Sequence, residues 1–170
     1  MKKVTFIVIC FLSIAFTTTA QRYAIVDSKY ILDKIPDYKD AQKKLDQFSE
    51  QWQQEIDRKQ NDLDKMYNSF DAEKVMLPDD LKKKREDELY NKDLELRKLQ
   101  KQRFGFEGDL FKKRQELIKP IQDKVYNAIQ RLAVEKSYDF ILDKSEGITV
   151  IFADPKLDHS DDVLRFLGVK

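Results

Sequence analysis

The single histidine of the chain, His159, stands in the acid-rich stretch DPKLDHSDD with Asp154, Asp158, Asp161 and Asp162. An imidazole among four carboxylates has the donor types for a divalent cation. A calcium loop, however, needs a glycine at its turn and regularly spaced ligands, and this stretch has neither. It reads instead as a turn followed by a helix capped at Ser160, with Asp161 and Asp162 near the positive end of the helix dipole. Asp27 in IVDS and Asp143 in ILDK are carboxylates of a type used in general acid–base work. Both end apolar strand-like runs, where acids are commonly solvated. The basic run KKKR, 82–85, has the charge for phosphate or lipid headgroups, but EDE at 86–88 offsets it locally, so it reads as a solvated helix start. No catalytic set, metal site or cofactor is expected, and the chain reads as a non-enzyme.

The stretch RFGFEGDLF, 103–111, offers binding chemistry of another kind. It holds three of the eleven phenylalanines and two of the four glycines, inside a long charged region. Phe106 falls on the expected helical seam. Phe104 and Phe111 lie one heptad apart on a second face, about 130° from the seam at 100° per residue. Gly108 falls between them, and Ile118 extends the stripe by another heptad. Such a stripe either packs on a neighbouring element or offers burial to unfolded chains without sequence demands. Tyr67, Met76 and Leu77 are further candidates for the same diffuse binding. Gly105 and Gly108 each cost about 1 kcal/mol in a helix relative to alanine. They are expected to act with Pro120 as hinges.

The elements that hold these residues follow from composition. Met1–Lys3 is a short basic start, Val4 to Phe16 is almost wholly apolar, and Thr17–Ala20 is small-residue. This is the pattern of a secretory signal peptide cut before Gln21, with an apolar run too short to span a bilayer. Cys10 lies inside it, so the expected mature chain excludes disulfides and thiol chemistry. Without the two lysines of the leader, 30 cations face 31 anions. Nothing in that balance points to nucleic acid, nor does net charge indicate contact with a membrane surface.

RYAIVD, 22–27, reads as a buried strand, with the short helix KYILDK behind it. From Tyr38 a heptad begins: Ala41, Leu45, Phe48, Trp52, Ile56, Leu63, Met66 and Phe70 alternate by threes and fours, missing only at Lys59. A helix of that length is about 60 Å long. Pro78 ends it, and Asp79 or Asp80 is placed to cap a second. That one returns through Leu81, Leu89, Leu96, Leu99, Phe106, Leu110 and Leu117, with Lys92 and Arg103 on the seam. Residues 45–73 hold eight acids and three bases, while 97–114 hold seven bases and two acids. Opposite excess suits antiparallel arms with a tip near 77–80. Pro120 bends a pattern that continues through Ile121, Val125, Ala128, Ile129 and Leu132. Strands are expected at 138–144 and 148–153, joined by a hairpin turn at Ser145–Glu146–Gly147. The fold class is α+β. Residues 37–118 form a helical-hairpin tentacle, inserted into a discontinuous β-rich body from 21–36 and 119–170.

RYAIVDSKYIL at the start, the charged hairpin, and QELIKPIQDKVYNAIQRLAVEKSYDFILDKSEGITVIFAD at the end together resemble the Skp/OmpH family of periplasmic chaperones. The resemblance covers the whole expected mature chain. It implies a homotrimer whose strands share a small β-barrel, with core residues here at Ile25, Val26, Phe140, Ile141, Leu142, Val150 and Ile151. It implies three tentacles around a cavity for unfolded outer-membrane proteins, working in the periplasm without ATP. The competing reading is a secreted coiled-coil scaffold of the cell envelope.

Overall fold

The computed structural model describes residues 21–145 and 150–169. The expected leader, 1–20, and most of the expected turn after Ser145 lie outside the described residues. In chain order the elements are β1 (Tyr23–Val26), α1 (Ser28–Lys34), α2 (Pro36–Glu73), α3 (Asp79–Phe104), α4 (Asp109–Leu117), α5 (Lys119–Lys136), β2 (Phe140–Asp143), a 3-10 turn (Pro155–Leu157) and α6 (Ser160–Phe166). They divide into two compact units, Leu32–Lys124 and the described residues up to Ile31 and from Val125 onward.

The unit built from both ends of the chain centres on β1. Ala24, Ile25 and Val26 are all buried. Burial on both faces is what a parallel strand requires. β1 pairs in parallel with β2, in the register Tyr23 to Phe140 through Val26 to Asp143. The Tyr23 and Phe140 rings stack at 5.7 Å. On its other edge, the Ile25 carbonyl accepts from the His159 N–H at 2.9 Å. Ile31, Val125, Ala128, Leu132, Val163 and Leu164 complete the buried apolar set of this unit.

The expected third strand differs. Among the described residues of 148–153, Val150 to Ala153 carry no strand, and Ile151 and Phe152 are exposed. A strand exists by its ladder, and both edges of β1 are engaged within the chain, by β2 and by 158–159. The run is expected as the hairpin partner of β2, but among the described residues β2 pairs only with β1.

The other unit is helical. Pro36 lies in the first turn of α2, where its missing N–H costs nothing. Ile56, Leu63, Leu89 and Leu96 form a buried cluster, with Met66, Phe70 and Leu99 partly buried against it. Both pairs of core residues are spaced by seven, so the heptad read from the sequence is the seam that packs. Each such side chain contributes roughly 1.5–3 kcal/mol on burial. Lys59, where the heptad misses, points to solvent.

The return segment is not one helix. It breaks at 105–108 and again at Ile118, giving α3, α4 and α5. Pro120 has no N–H to continue the ladder, and the N–H groups of Ile121 and Gln122 restart it on the Ile118 carbonyl. Asp79 and Asp80 do not cap α3. Pro78 holds the cap position without a side-chain bond, and the two acids lie in the first turn, where their charge opposes the positive dipole end.

Candidate binding surfaces at the helix breaks

The 105–108 break is a tight, ordered turn. The Gly105 N–H closes the last turn of α3 on the Lys101 carbonyl at 2.9 Å, and the Gly108 N–H bonds the Gly105 carbonyl at 2.9 Å. Backbone packs on backbone here. A Cβ at Gly105 would meet the Lys101 oxygen at 2.3 Å; one at Gly108 would meet the Gln102 and Gly105 oxygens at 2.7 and 2.9 Å. Glu107 between them takes the left-handed conformation, with φ of 54°. The glycines are therefore demanded by close approach.

This turn changes the fate of its phenylalanines. Phe106, expected on the seam, is 96% exposed. The helical rotation that placed it inward ends two residues earlier, at Phe104. Phe104 and Phe111 are 38% and 46% exposed, but the break lies between them, so no continuous helix carries the sevenfold step that put them on one face. Ile118 is a correction: it is buried, so it does not extend that stripe. Ile118 caps α4 in a helical conformation, its N–H bonded to the Arg114 carbonyl at 2.9 Å.

Arg103 holds the turn shut. Its guanidinium donates to Asp109 at 2.7 Å across the break and to Glu55 of α2 at 3.2 Å. It also lies 5.1 Å over the Trp52 ring. The bond it donates to Asp109 leads the causes that raise its pKa, with burial opposing and Glu55 adding support. Trp52 stacks on Phe48, and Lys113 of α4 sits 5.3 Å over the Phe48 ring. Arginine and lysine here cover aromatic surface that a leucine seam would have covered.

Near 74–78 a second apolar group stands open. Val75 and Met76 are exposed, Leu77 is half-buried, and Leu77 and Leu81 line an open groove with Glu73, Lys84 and Arg85. Tyr67 is 42% exposed.

The acids that opened the sequence reading are spent on separate partners. Asp154 accepts from the Lys156 N–H, and Asp158 from Ser160 and from Lys144 at 2.7 Å. Asp161 takes the Tyr30 hydroxyl. His159 bridges Asp162 through Nδ1 at 2.6 Å and the Tyr138 hydroxyl through Nε2 at 2.8 Å. Ser160 does not cap α6. It is buried, accepts from the Asp27 N–H and donates to Asp158. Asp27 and Asp143 serve the backbone too, bonding the N–H groups of Tyr30, and of Ser28 and Ser145.

The family described as Outer membrane protein (OmpH-like) matches residues 22–167. This chain belongs to the OmpH-like family. No curated protein matches it. Among solved structures, it is similar to a protein of Caulobacter crescentus CB15 described as an outer membrane chaperone (OmpH-like). The two share 17% identity and superpose with a TM-score of 0.66, over 88% of this chain and 85% of the other. The OmpH-like family is a chaperone family and not an enzymatic one.

Within this OmpH-like chain, the candidate residues do not converge on one site. Phe104 and Phe111 flank one helix break, Met76 and Leu77 lie at another, and Tyr67 stands on α2. Ile25 and Val26 are buried in the single chain, while Ile141, Leu142 and Val150 are half-buried and Phe140 and Ile151 are exposed. Sequence reasoning missed Phe106 as a surface residue and Arg103 as a clasp. The signal was present as two glycines three apart, bracketed by Arg103 and Asp109.

Proposed function

We propose that this chain is an ATP-independent periplasmic holdase, which keeps unfolded outer-membrane or envelope proteins from aggregating. The observation that carries this reading is apolar exposure on a unit whose own seam is filled. Ile56, Leu63, Leu89 and Leu96 already satisfy one another, yet Phe104, Phe111, Met76 and Tyr67 remain open to solvent. With Leu77, these are the proposed diffuse client contacts. Many weak apolar contacts suit a client without a fixed shape, because each offers burial and none demands a sequence.

In this reading the helical unit is an antiparallel hairpin with its tip near 77–80. The contacts of Arg103 with Trp52 and Glu55, and of Lys113 with Phe48, support that direction. Three copies share a β-rich body through Ile25, Val26, Phe140, Ile141, Leu142, Val150 and Ile151, and enclose the client between their arms. Gly105, Gly108 and Pro120 are the points where an arm changes direction. The leader at 1–20 delivers the chain to the periplasm.

Dilution of a denatured β-barrel protein into buffer tests the reading. Added in excess, the chain is expected to suppress light scattering from aggregates without ATP. Equal aggregation with and without it would favour the envelope-scaffold alternative.

A further inference from the structure

β1 is a strand for which a free edge would be a hazard. Ala24, Ile25 and Val26 are apolar and buried, and an open row of N–H and C=O groups beside them would be a template for another strand. β2 covers one edge. The other is covered by residues 154–160, which form no strand. They meet β1 at one bridge, Ile25 to Asp158. The His159 N–H bonds the Ile25 carbonyl at 2.9 Å, and the Ser160 hydroxyl accepts from the Asp27 N–H at 2.8 Å. A 3-10 turn opening on Pro155 precedes the bridge and α6 follows it, so no extended run is left to pair further. His159 also fastens the segment by its ring. Nδ1 donates to Asp162 at 2.6 Å, Nε2 meets the Tyr138 hydroxyl at 2.8 Å, and the two rings lie 5.2 Å apart. Tyr138 is held in turn by Arg22, 5.6 Å over its ring. One residue therefore grips β1 through its backbone and the chain entering β2 through its side chain.

We infer that residues 154–160 are a latch on the outer edge of β1, locked by His159, which stops the apolar run 150–152 of a second copy from adding there as a strand. That run is the occupant the chain itself supplies. It has the composition of a strand and carries none, and Ile151 and Phe152 are 95% and 84% exposed. An extended segment adds readily to an open sheet edge. With β1 open, copies could add one after another without closing into a fixed set. The latch lies in the unit built from both ends of the chain, away from the proposed client contacts, so it stands whether or not the holdase reading does.

Amide hydrogen exchange and light scattering on the purified chain in its native assembly test this. The amides at positions 27 and 159 report the latched edge, and the Lys144 amide, bonded to the Val26 carbonyl at 2.8 Å, reports the edge facing β2. His159→Ala is expected to speed exchange at 27 and 159 by about tenfold, the effect of losing two side-chain hydrogen bonds, with Lys144 unchanged, because the latch opens without the sheet. Tyr138→Phe, which removes only the hydroxyl, is expected to give a smaller step at the same two amides. In a concentration series the native chain is expected to keep one mass, while His159→Ala forms heavier species whose share rises with concentration. Adding Phe152→Asp to His159→Ala puts a charge in the incoming run and is expected to remove those species. Equal acceleration at Lys144 in both variants overturns the latch, since His159 would then support the whole sheet. Native mass of His159→Ala at every concentration overturns the guarding role, and heavy species that persist with Phe152→Asp overturn the run 150–152 as the excluded strand.

Discussion

Arg103 shows how much one side chain does in a seam that lacks a leucine. Its fork spans Asp109 and Glu55, its plane covers Trp52, and its Nε is buried there without a hydrogen-bond partner. Replacing it with alanine leaves two carboxylates without their cation and bares the indole. Arg103→Ala is expected to destabilise the chain by on the order of 1 kcal/mol, or ~2–4 °C in Tm. Arg103→Lys should recover only part of this, because an ammonium cannot make the two-armed bond. Thermal melts at low and high salt check both. Asp143 and Asp158 make a second prediction, on acid stability. Burial pushes both carboxyls up, but hydrogen bonds from Ser28 and Ser145 to Asp143, and from Lys144 and Ser160 to Asp158, outweigh it and hold both below the usual value. A carboxylate with a depressed folded pKa stabilises the fold above its unfolded pKa and loses that contribution as pH falls through the folded one. Stability should therefore decline below about pH 4. The Asp143→Asn, Asp158→Asn chain should be less stable at neutral pH and lose less on acidification. An equal acid slope in the two proteins would contradict the assignment.

At the scale of elements, the 105–108 turn reverses the usual expectation for glycine. In a continuous helix, Gly→Ala stabilises by about 1 kcal/mol. Here a methyl at 108 would press on three backbone carbonyls. Gly108→Ala is expected to destabilise by about 1–3 kcal/mol, the range of an overpacked site, and a higher Tm would show that α3 and α4 join into one helix. The same turn explains what could and could not be read from the sequence. The heptads through Ile56, Leu63, Leu89 and Leu96 were legible because burial enforces a fixed period. So was α5, where Ile121, Val125, Ala128 and Leu132 are buried as their spacing predicts. Phe106 was not, because a helical wheel assumes an unbroken helix, and the break is made by backbone contacts and an arginine clasp that leave no period. The run 148–153 shows a related limit. Its composition suits a strand, but a strand exists only where a ladder forms, and composition carries no record of which ladders do.

At the scale of the whole molecule, Ile151 is the residue that separates assembly from folding. In the single chain it is 95% exposed, so an aspartate there should cost the fold of one chain almost nothing. In the proposed trimer it is part of a shared body core, and each of three copies would carry the charge into it. Burying an unpaired carboxylate costs several kcal/mol per ion, and three such charges would repel one another. Ile151→Asp is therefore expected to run as a single chain by light scattering, where the native protein is expected to have the mass of three, while its helical circular dichroism is unchanged. Phe140→Asp is less discriminating, because Phe140 also stacks on Tyr23 within one chain. The separation matters for function. A client enclosed between three arms needs all three, whereas apolar contacts on one arm act alone. Ile151→Asp should therefore lose most of its protection of a full-length β-barrel protein while still binding short peptides. Native mass in Ile151→Asp would remove Ile151 from the shared core, and full protection by a monomer would remove the enclosed cavity.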